Sequence, residues 1–306
     1  MPVYNSSRRL RQCLKSILNQ TFKDFELICI NDGSTDQSLE ILNEQASNDS
    51  RIKIISQNNE GQGSARNNGF KLCKGETTIF LDSDDIFNSN FLEKIYLKYQ
   101  ETNADITICG YFVELSNGKI FKRPDRQKLK IINNLKIINR NTLPQYIFEI
   151  STSAAWNKLY KTEFLKNHNL KFDTIRDSED IYFSLSSIYY ANKIALIEEP
   201  LLKYKFCNET SSIKRIKPTT INLELFNIFK RLKNIIEEGD NKTFHLISLY
   251  NACIRAVFFD LSFLKGELRK EFIKIIKKEV PLQHFKNFHN KKYYIKLLLL
   301  KIMPVI

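Results

Sequence analysis

The chain has 306 residues, enough for one large core or two ordinary domains, and its 42% apolar and 26% charged residues exclude a disordered polymer. Its net charge of +13 is uneven: from residue 201 onward 21 Lys and Arg face 9 Asp and Glu, a net of +12, so the first 200 residues are almost neutral. That asymmetry argues against a uniformly basic nucleic-acid binder and for a neutral body with a basic tail suited to an anionic surface. Six cysteines are dispersed without a close pair, and Cys29 and Cys109 lie in apolar runs, so reduced core thiols of a cytosolic protein are expected. No signal peptide precedes the first motif, and no run of 18 apolar residues spans a bilayer.

Met1 to Asn5 reads as the end of a strand and its turn, so either the start lies upstream or a neighbouring strand does without its usual partner. Residues 8–20 carry Leu10, Leu14, Ile17 and Leu18 at helical spacing. A buried strand over 25–30 follows, then a polar turn, a helix from Ser38 and a short strand over 52–55. A helix spans 61–73 behind a glycine loop, a strand 77–81, a helix 91–99 and a strand 105–110. The alternation predicts a mostly parallel sheet covered by helices on both faces. Residues 111–121 read as a hairpin around Asn117-Gly118. A basic stretch over 123–141 has no clear structure, and a new ordered element starts at Ser153. Strands over 194–197 and 201–206 flank Pro200. Beyond Thr220 four helical patterns follow (223–236, 244–259, 268–280 and 293–303), broken at Gly239, Gly266 and Pro281.

Two acidic knots stand out, Phe80 to Asp85 (FLDSDD) at a strand end and Asp177 to Asp180 (DSED). Carboxylates clustered at the carboxyl end of a strand suit an oxygen-ligating cation, Mg²⁺ or Mn²⁺, completed by phosphate and water. The plainer reading is an acidic turn in which Ser83 or Asp84 caps a helix. In Asn31 to Asp36 (NDGSTD), Gly33 permits a sharp turn, Ser34 or Thr35 is a candidate N-cap, and Asp32 is either a turn former or an acceptor for a base edge. The loop from Asn59 to Gly69 has Gly61 and Gly63 for close backbone approach and Arg66 on the first helical turn. It lacks the lysine of a phosphate-loop NTPase and the spacing of a dinucleotide fingerprint. Trp156 alone reads as core. The four histidines have no metal spacing.

Taken in order, Pro2 to Asn5 (PVYN), Phe25 to Asp36, Gly61 to Gly69, Phe80 to Asp85, Trp156 to Tyr160 (WNKLY) and Ser178 to Phe183 (SEDIYF) resemble the bacterial family 2 glycosyltransferases over roughly residues 1–205. Those enzymes are inverting, have the GT-A fold and use nucleotide sugars. The resemblance implies an α/β GT-A fold with a mostly parallel central sheet, a catalytic domain over 1–210 and a basic helical region over 211–306. The donor site falls in 1–110 and the acceptor and base region in 111–210. Pro2, Tyr4 and Glu26 would line the nucleoside pocket, Asp32 would read the uracil edge, and Arg66 would sit near the sugar-phosphate. Asp82, Ser83 and Asp84 occupy the D-x-D positions, with Asp84 the first choice for the metal, Asp82 on the ribose or donor sugar and Asp85 a lesser contributor. Asp180 would be the general base with Glu179 in support. Trp156 and Lys158 would serve the acceptor side.

The implied reaction moves a hexose or N-acetylhexosamine from a UDP-sugar, with Mn²⁺ or Mg²⁺, to a hydroxyl of a surface glycan or lipid-linked oligosaccharide. A nucleotidyltransferase acting on sugar phosphates and a basic nucleic-acid-binding protein are the alternatives. The tail over 286–306 combines lysines, aromatics and a leucine-rich run too short to span a bilayer. It suits peripheral attachment to the inner face of the cytoplasmic membrane, or else packing within the chain or in a homodimer.

Overall fold

The computed structural model describes residues 1–115, 117–123, 132, 135, 137–175, 178–206, 223–262 and 264–279. The chain divides into two compact units, one of residues 1–139 and 151–207 and one of residues 140–150 and 208–306. The helical unit expected from residue 211 thus also takes in residues 140–150.

In the first unit, β1 (Pro2–Val3), β2 (Leu27–Asp32) and β3 (Ile52–Gln57) form a parallel three-stranded sheet. All six residues of β2 are buried, the unbroken pattern of a parallel strand covered on both faces. Helix α1 (Ser7–Leu18) buries Leu10, Cys13, Leu14 and Ile17, one face at three- and four-residue spacing. Helices α2 (Ser38–Asn48) and α3 (Gln62–Lys71) complete this half.

A second sheet runs β4 (Thr77–Ile79), β8 (Lys158–Lys161), β6 (Ile106–Leu115), β9 (Ile194–Phe206), β5 (Ile86–Phe87), with β7 (Ile120–Arg123) also on β6. Here β6 and β9 are parallel, while β7, β8 and β5 enter antiparallel. Helix α4 (Phe91–Thr102) buries Phe91, Ile95 and Tyr99 beside it, and α5 (Thr162–Asn167) and α6 (Glu179–Tyr190) complete the unit. The expected hairpin forms between β6 and β7. The two strands expected around Pro200 are one: β9 is continuous, and the register against β6 slips at Gly110, which pairs with Pro200. A bulge there lets the ladder pass a residue that has no N–H to donate.

In the second unit, a 3₁₀ turn (Ile147–Glu149) and α7 (Glu224–Glu237) contact α8 (Lys242–Leu261), followed by α9 (Gly266–Glu279). Arg255 pairs with the buried Glu149 at 2.9 Å, and the Phe148 N–H donates to Ser248 Oγ at 2.9 Å. By length and composition α8 is apolar enough to cross a membrane, yet nine of its side chains, among them Leu249, Ile254 and Val257, are buried within the protein. The tail over 286–306, the helix expected over 293–303 and most of the basic stretch 123–141 lie outside the described residues.

Candidate active site

The carboxyl end of β2 delivers Asp32, which is buried. Its Oδ1 accepts from Gln57 Nε2 at 2.8 Å and the Glu60 N–H at 2.9 Å, and its Oδ2 accepts from the Gly61 N–H at 2.9 Å. Asp32 therefore clamps the loop that enters α3. Gly33 follows at φ +70°, and a Cβ there would stand 2.9 Å from the Asn59 nitrogen, so only glycine makes this turn without strain. The helix cap anticipated at Ser34 or Thr35 belongs to Asp36. Its Oδ1 accepts from the Ser38 N–H at 2.9 Å and its Oδ2 from the Ser7 N–H at 3.0 Å, so one carboxylate caps α2 and α1 together. Partial burial opposes the charge, but the Ser38 and Ser7 hydrogen bonds outweigh it and lower the Asp36 carboxyl to about 2.

Arg66, on α3, is the hub. Its guanidinium donates to Glu179 Oε1 and to Asp82 Oδ1, both at 2.7 Å, and lies 5.2 Å from the centre of the Phe172 ring. Burial disfavours its charge, yet Asp82, Glu179 and Asp180 outweigh that and raise its pKa. One cation thereby joins the acidic turn after β4 to the start of α6, elements 16 and 113 residues away in sequence. Gly63, one turn earlier, meets the segment before α6: a Cβ there would lie 1.9 Å from the Asp173 carbonyl oxygen. Gly63→Ala is expected to push Asp173 and Glu179 away from α3 and to cost about 1–3 kcal/mol. A lowered melting temperature would register it; the parent value would mean that the two segments part freely.

In the acidic turn, Ser83 Oγ lies 2.9 Å from Ser6 Oγ, tying the turn to the residue that precedes α1. The Asp84 side chain is 40% exposed, with Arg9 Nη1 3.7 Å away. Partial desolvation, and then Asp82, raise the Asp84 carboxyl to about 6. Asp85 is buried beneath the turn. Among the described residues no cluster of three or more His, Cys, Asp or Glu could hold a metal ion unaided. The negative charge concentrated at Asp82 and Asp84 nevertheless fits a cation whose remaining ligands come from a diphosphate and water.

Helix α6 is entered from Ser178, whose φ of 68° is left-handed and whose hydroxyl makes no cap bond. That backbone turn aims Glu179 at Arg66 and leaves Asp180 beside it. Burial first, then Glu179, raise the Asp180 carboxyl to about 7 against the opposing pull of Arg66.

Three expected residues are not part of this constellation. Glu26 precedes β2 and lies at its amino end, about 20 Å along the strand from Asp32. There it accepts from Lys53 Nζ at 2.6 Å and the Lys74 N–H at 2.7 Å. Trp156 is buried, stacked on Tyr204 at 5.2 Å and edge-on to Tyr111 at 4.8 Å, so it has no free face for a sugar ring. Lys158 has no exposed surface, and its ammonium donates to Thr152 O, Ala154 O and Asn157 Oδ1 at 2.9, 2.6 and 3.0 Å. With its three donors engaged it organises the loop before β8 instead of meeting a phosphate. Pro2, in β1, and Tyr4, in the turn after it, reach the Asp32 side through the β1–β2 pairing. Sequence reasoning missed Ser6, Arg9 and Asp36; the available signals were a hydroxyl just before α1, a basic residue in its first turn and an acidic residue two positions before α2.

The family model described as Glycosyl transferase family 2 matches residues 1–168. Glycosyltransferase GlyA of Streptococcus pneumoniae is 34% identical over 208 residues, covering 67% of this chain and 30% of that protein. The uncharacterized glycosyltransferase EpsJ of Bacillus subtilis is 31% identical over 212 residues, covering 67% of this chain and 59% of that protein. The chain thus spans less than two thirds of the length of these relatives. Among solved structures, S. aureus TarS 1-349 in complex with UDP-GlcNAc superposes with a TM-score of 0.76 at 20% identity, over 98% of this chain and 86% of that one, a likeness of fold. The chain belongs to glycosyl transferase family 2.

Proposed function

We propose that the protein transfers a hexose or N-acetylhexosamine, with inversion, from a UDP-sugar to a hydroxyl of a bacterial surface glycan or lipid-linked oligosaccharide. The observation that carries this reading is the Arg66 bridge, which ties the acidic turn, through Asp82, to Glu179, the neighbour of the high-pKa Asp180. Asp180 takes the proton of the acceptor hydroxyl as its oxygen bonds to the anomeric carbon, while the bond from that carbon to the diphosphate oxygen breaks and UDP leaves. A carboxylate near neutrality suits that task better than an ordinary aspartate. Asp32 and Tyr4 face the nucleoside, and Asp82, steadied by Arg66, faces the ribose or donor sugar. Asp84, exposed on the rim, and Asp82 would hold Mn²⁺ or Mg²⁺, which when bound stabilises the charge growing on the departing diphosphate. The TarS complexes with UDP and UDP-GlcNAc and a Pyrobaculum calidifontis mannosyltransferase complexed with GDP-Man and Mn²⁺ share the fold and support the choice of ligand class.

The test is a product assay over several UDP-sugars with truncated glycan acceptors. Acceptor-dependent UDP release is expected with Mn²⁺, and chelator should slow it by about a hundredfold or more. Pyrophosphate release would instead identify a nucleotidyltransferase. A rate indifferent to chelator would remove the metal from the scheme.

A further inference from the structure

One face of α1, with the residue before it, runs along the acidic turn and meets it residue by residue. Cys13 Sγ donates to the Asp82 carbonyl at 3.5 Å, Ser6 Oγ lies 2.9 Å from Ser83 Oγ, and Arg9 Nη1 lies 3.7 Å from Asp84 Oδ2. Positions 6, 9 and 13 follow the three- and four-residue spacing of a helix face, so α1 fixes where Arg9 reaches. Asp82 and Asp84 therefore each face an arginine, but not in the same way. Asp82 Oδ1 accepts from the buried Arg66 at 2.7 Å, a full hydrogen bond. Arg9 stops short of Asp84. Its side chain is only 15% exposed, and its Nη1 is shielded from solvent without a hydrogen-bond partner among the described residues. At 3.7 Å the contact is Coulombic, too long to fix the orientation of the carboxylate.

We propose that Arg9 is a resident counter-cation of Asp84, which a divalent ion at the acidic turn has to overcome, so that Arg9 sets how weakly the turn holds its metal. This rests on the proposed reaction, in which Asp84 and Asp82 hold Mn²⁺ or Mg²⁺. Two effects of opposite sign compete at such a residue. A hydrogen bond that orients a ligating carboxylate tightens its grip, and losing that partner typically costs about 10–100-fold in metal affinity. A cation beside the carboxylate loosens the grip by repulsion. Within about 4–6 Å it lowers a carboxylate's affinity for a proton by about 1–3 pKa units, and a divalent ion meets the same field with twice the charge. At Asp84 the orienting bond is missing and the charge is present, so repulsion dominates. With Arg66 on Asp82 and Arg9 on Asp84, each of the two carboxylates is already matched by one positive charge. The turn alone is then a weak metal site, and a diphosphate brings the negative charge it lacks.

Calorimetric titration of Mn²⁺ into the full chain, with and without UDP, tests this on the parent, Arg9→Gln and Arg9→Lys. Arg9→Gln removes the charge and should bind Mn²⁺ about tenfold or more tightly than the parent. Arg9→Lys keeps the charge and should stay within about threefold of the parent. Asp84 is 40% exposed and the pair adds little stability, so both variants should fold as the parent does. Equal or weaker binding by Arg9→Gln would overturn the proposal, weaker binding making Arg9 a supporting partner of the carboxylate instead. Equal tightening in both variants would overturn it too, since charge would then not be the cause. Failure of the metal itself reads differently: no chain would bind Mn²⁺, and chelator would not slow transfer. Parent and Arg9→Gln chains that bind Mn²⁺ equally well would leave the proposed reaction standing and remove only this role of Arg9.

Discussion

Replacing Asp180 with Asn is expected to reduce sugar transfer by about a thousandfold while UDP-sugar binding persists, because general-base catalysis contributes about 10²–10⁴ in rate. Asn keeps the size and the hydrogen-bonding shape of the side chain but cannot accept the acceptor proton. Nucleotide contacts assigned to Asp32, Tyr4 and Asp82 are untouched, so donor affinity measured by calorimetry should be unchanged. The parent enzyme supplies the matching pH signature. With the Asp180 carboxyl raised to about 7 beside Glu179, the reactive anion is lost as pH falls through that value. The transfer rate should therefore drop about tenfold per pH unit below 7 and level off above it, and the apparent value belongs to the Glu179–Asp180 pair. Transfer by the Asp180→Asn variant at more than about a tenth of the parent rate would remove Asp180 from the role of base.

The fold was legible in the sequence where apolar runs and turn residues cooperate. Residues 27–30 form an unbroken apolar run between a charged segment and a glycine turn, and a parallel strand buried on both faces requires that pattern. The amphipathic spacing of α1 and α4 and the Asn117-Gly118 hairpin were equally direct. Within the site, the acidic turn and the start of α6 were visible as motifs, but their meeting was not, since Arg66 and Glu179 are 113 residues apart. Lys158 shows why neighbours in sequence mislead. An ammonium beside Trp156 and Asn157 reads as a polar contact for a ligand, yet the curvature of the preceding loop gathers the Thr152 and Ala154 carbonyls onto it and seals it inside. Glu26 failed for another reason. The two ends of a strand are chemically alike in sequence, and only the carboxyl end of β2 carries the loops that meet α3 and the acidic turn.

Replacing Arg66 with Met is expected to lower the melting temperature by about 10 °C, since breaking a buried ion pair costs about 3–5 kcal/mol and leaves unpartnered charge behind. Arg66 is buried, and its removal would strand Glu179, itself buried, and Asp82. The effect on chemistry is separate and has its own sign. Arg66 pulls the Asp180 carboxyl down against burial and Glu179, so without it the pKa rises further. An opposite charge within about 4–6 Å is worth about 1–3 pKa units, and the pH–rate profile of Arg66→Met should move to higher pH by at least about one unit. Arg66→Lys keeps the charge but loses the fork that reaches Glu179 and Asp82 at once, so it should restore part of the pH profile while recovering less of the stability. A merely structural Arg66 would lower the melting temperature of both variants and leave the profile of the surviving enzyme where it was. A shift larger in Arg66→Met than in Arg66→Lys would instead mark Arg66 as the residue that sets the working pH of the base.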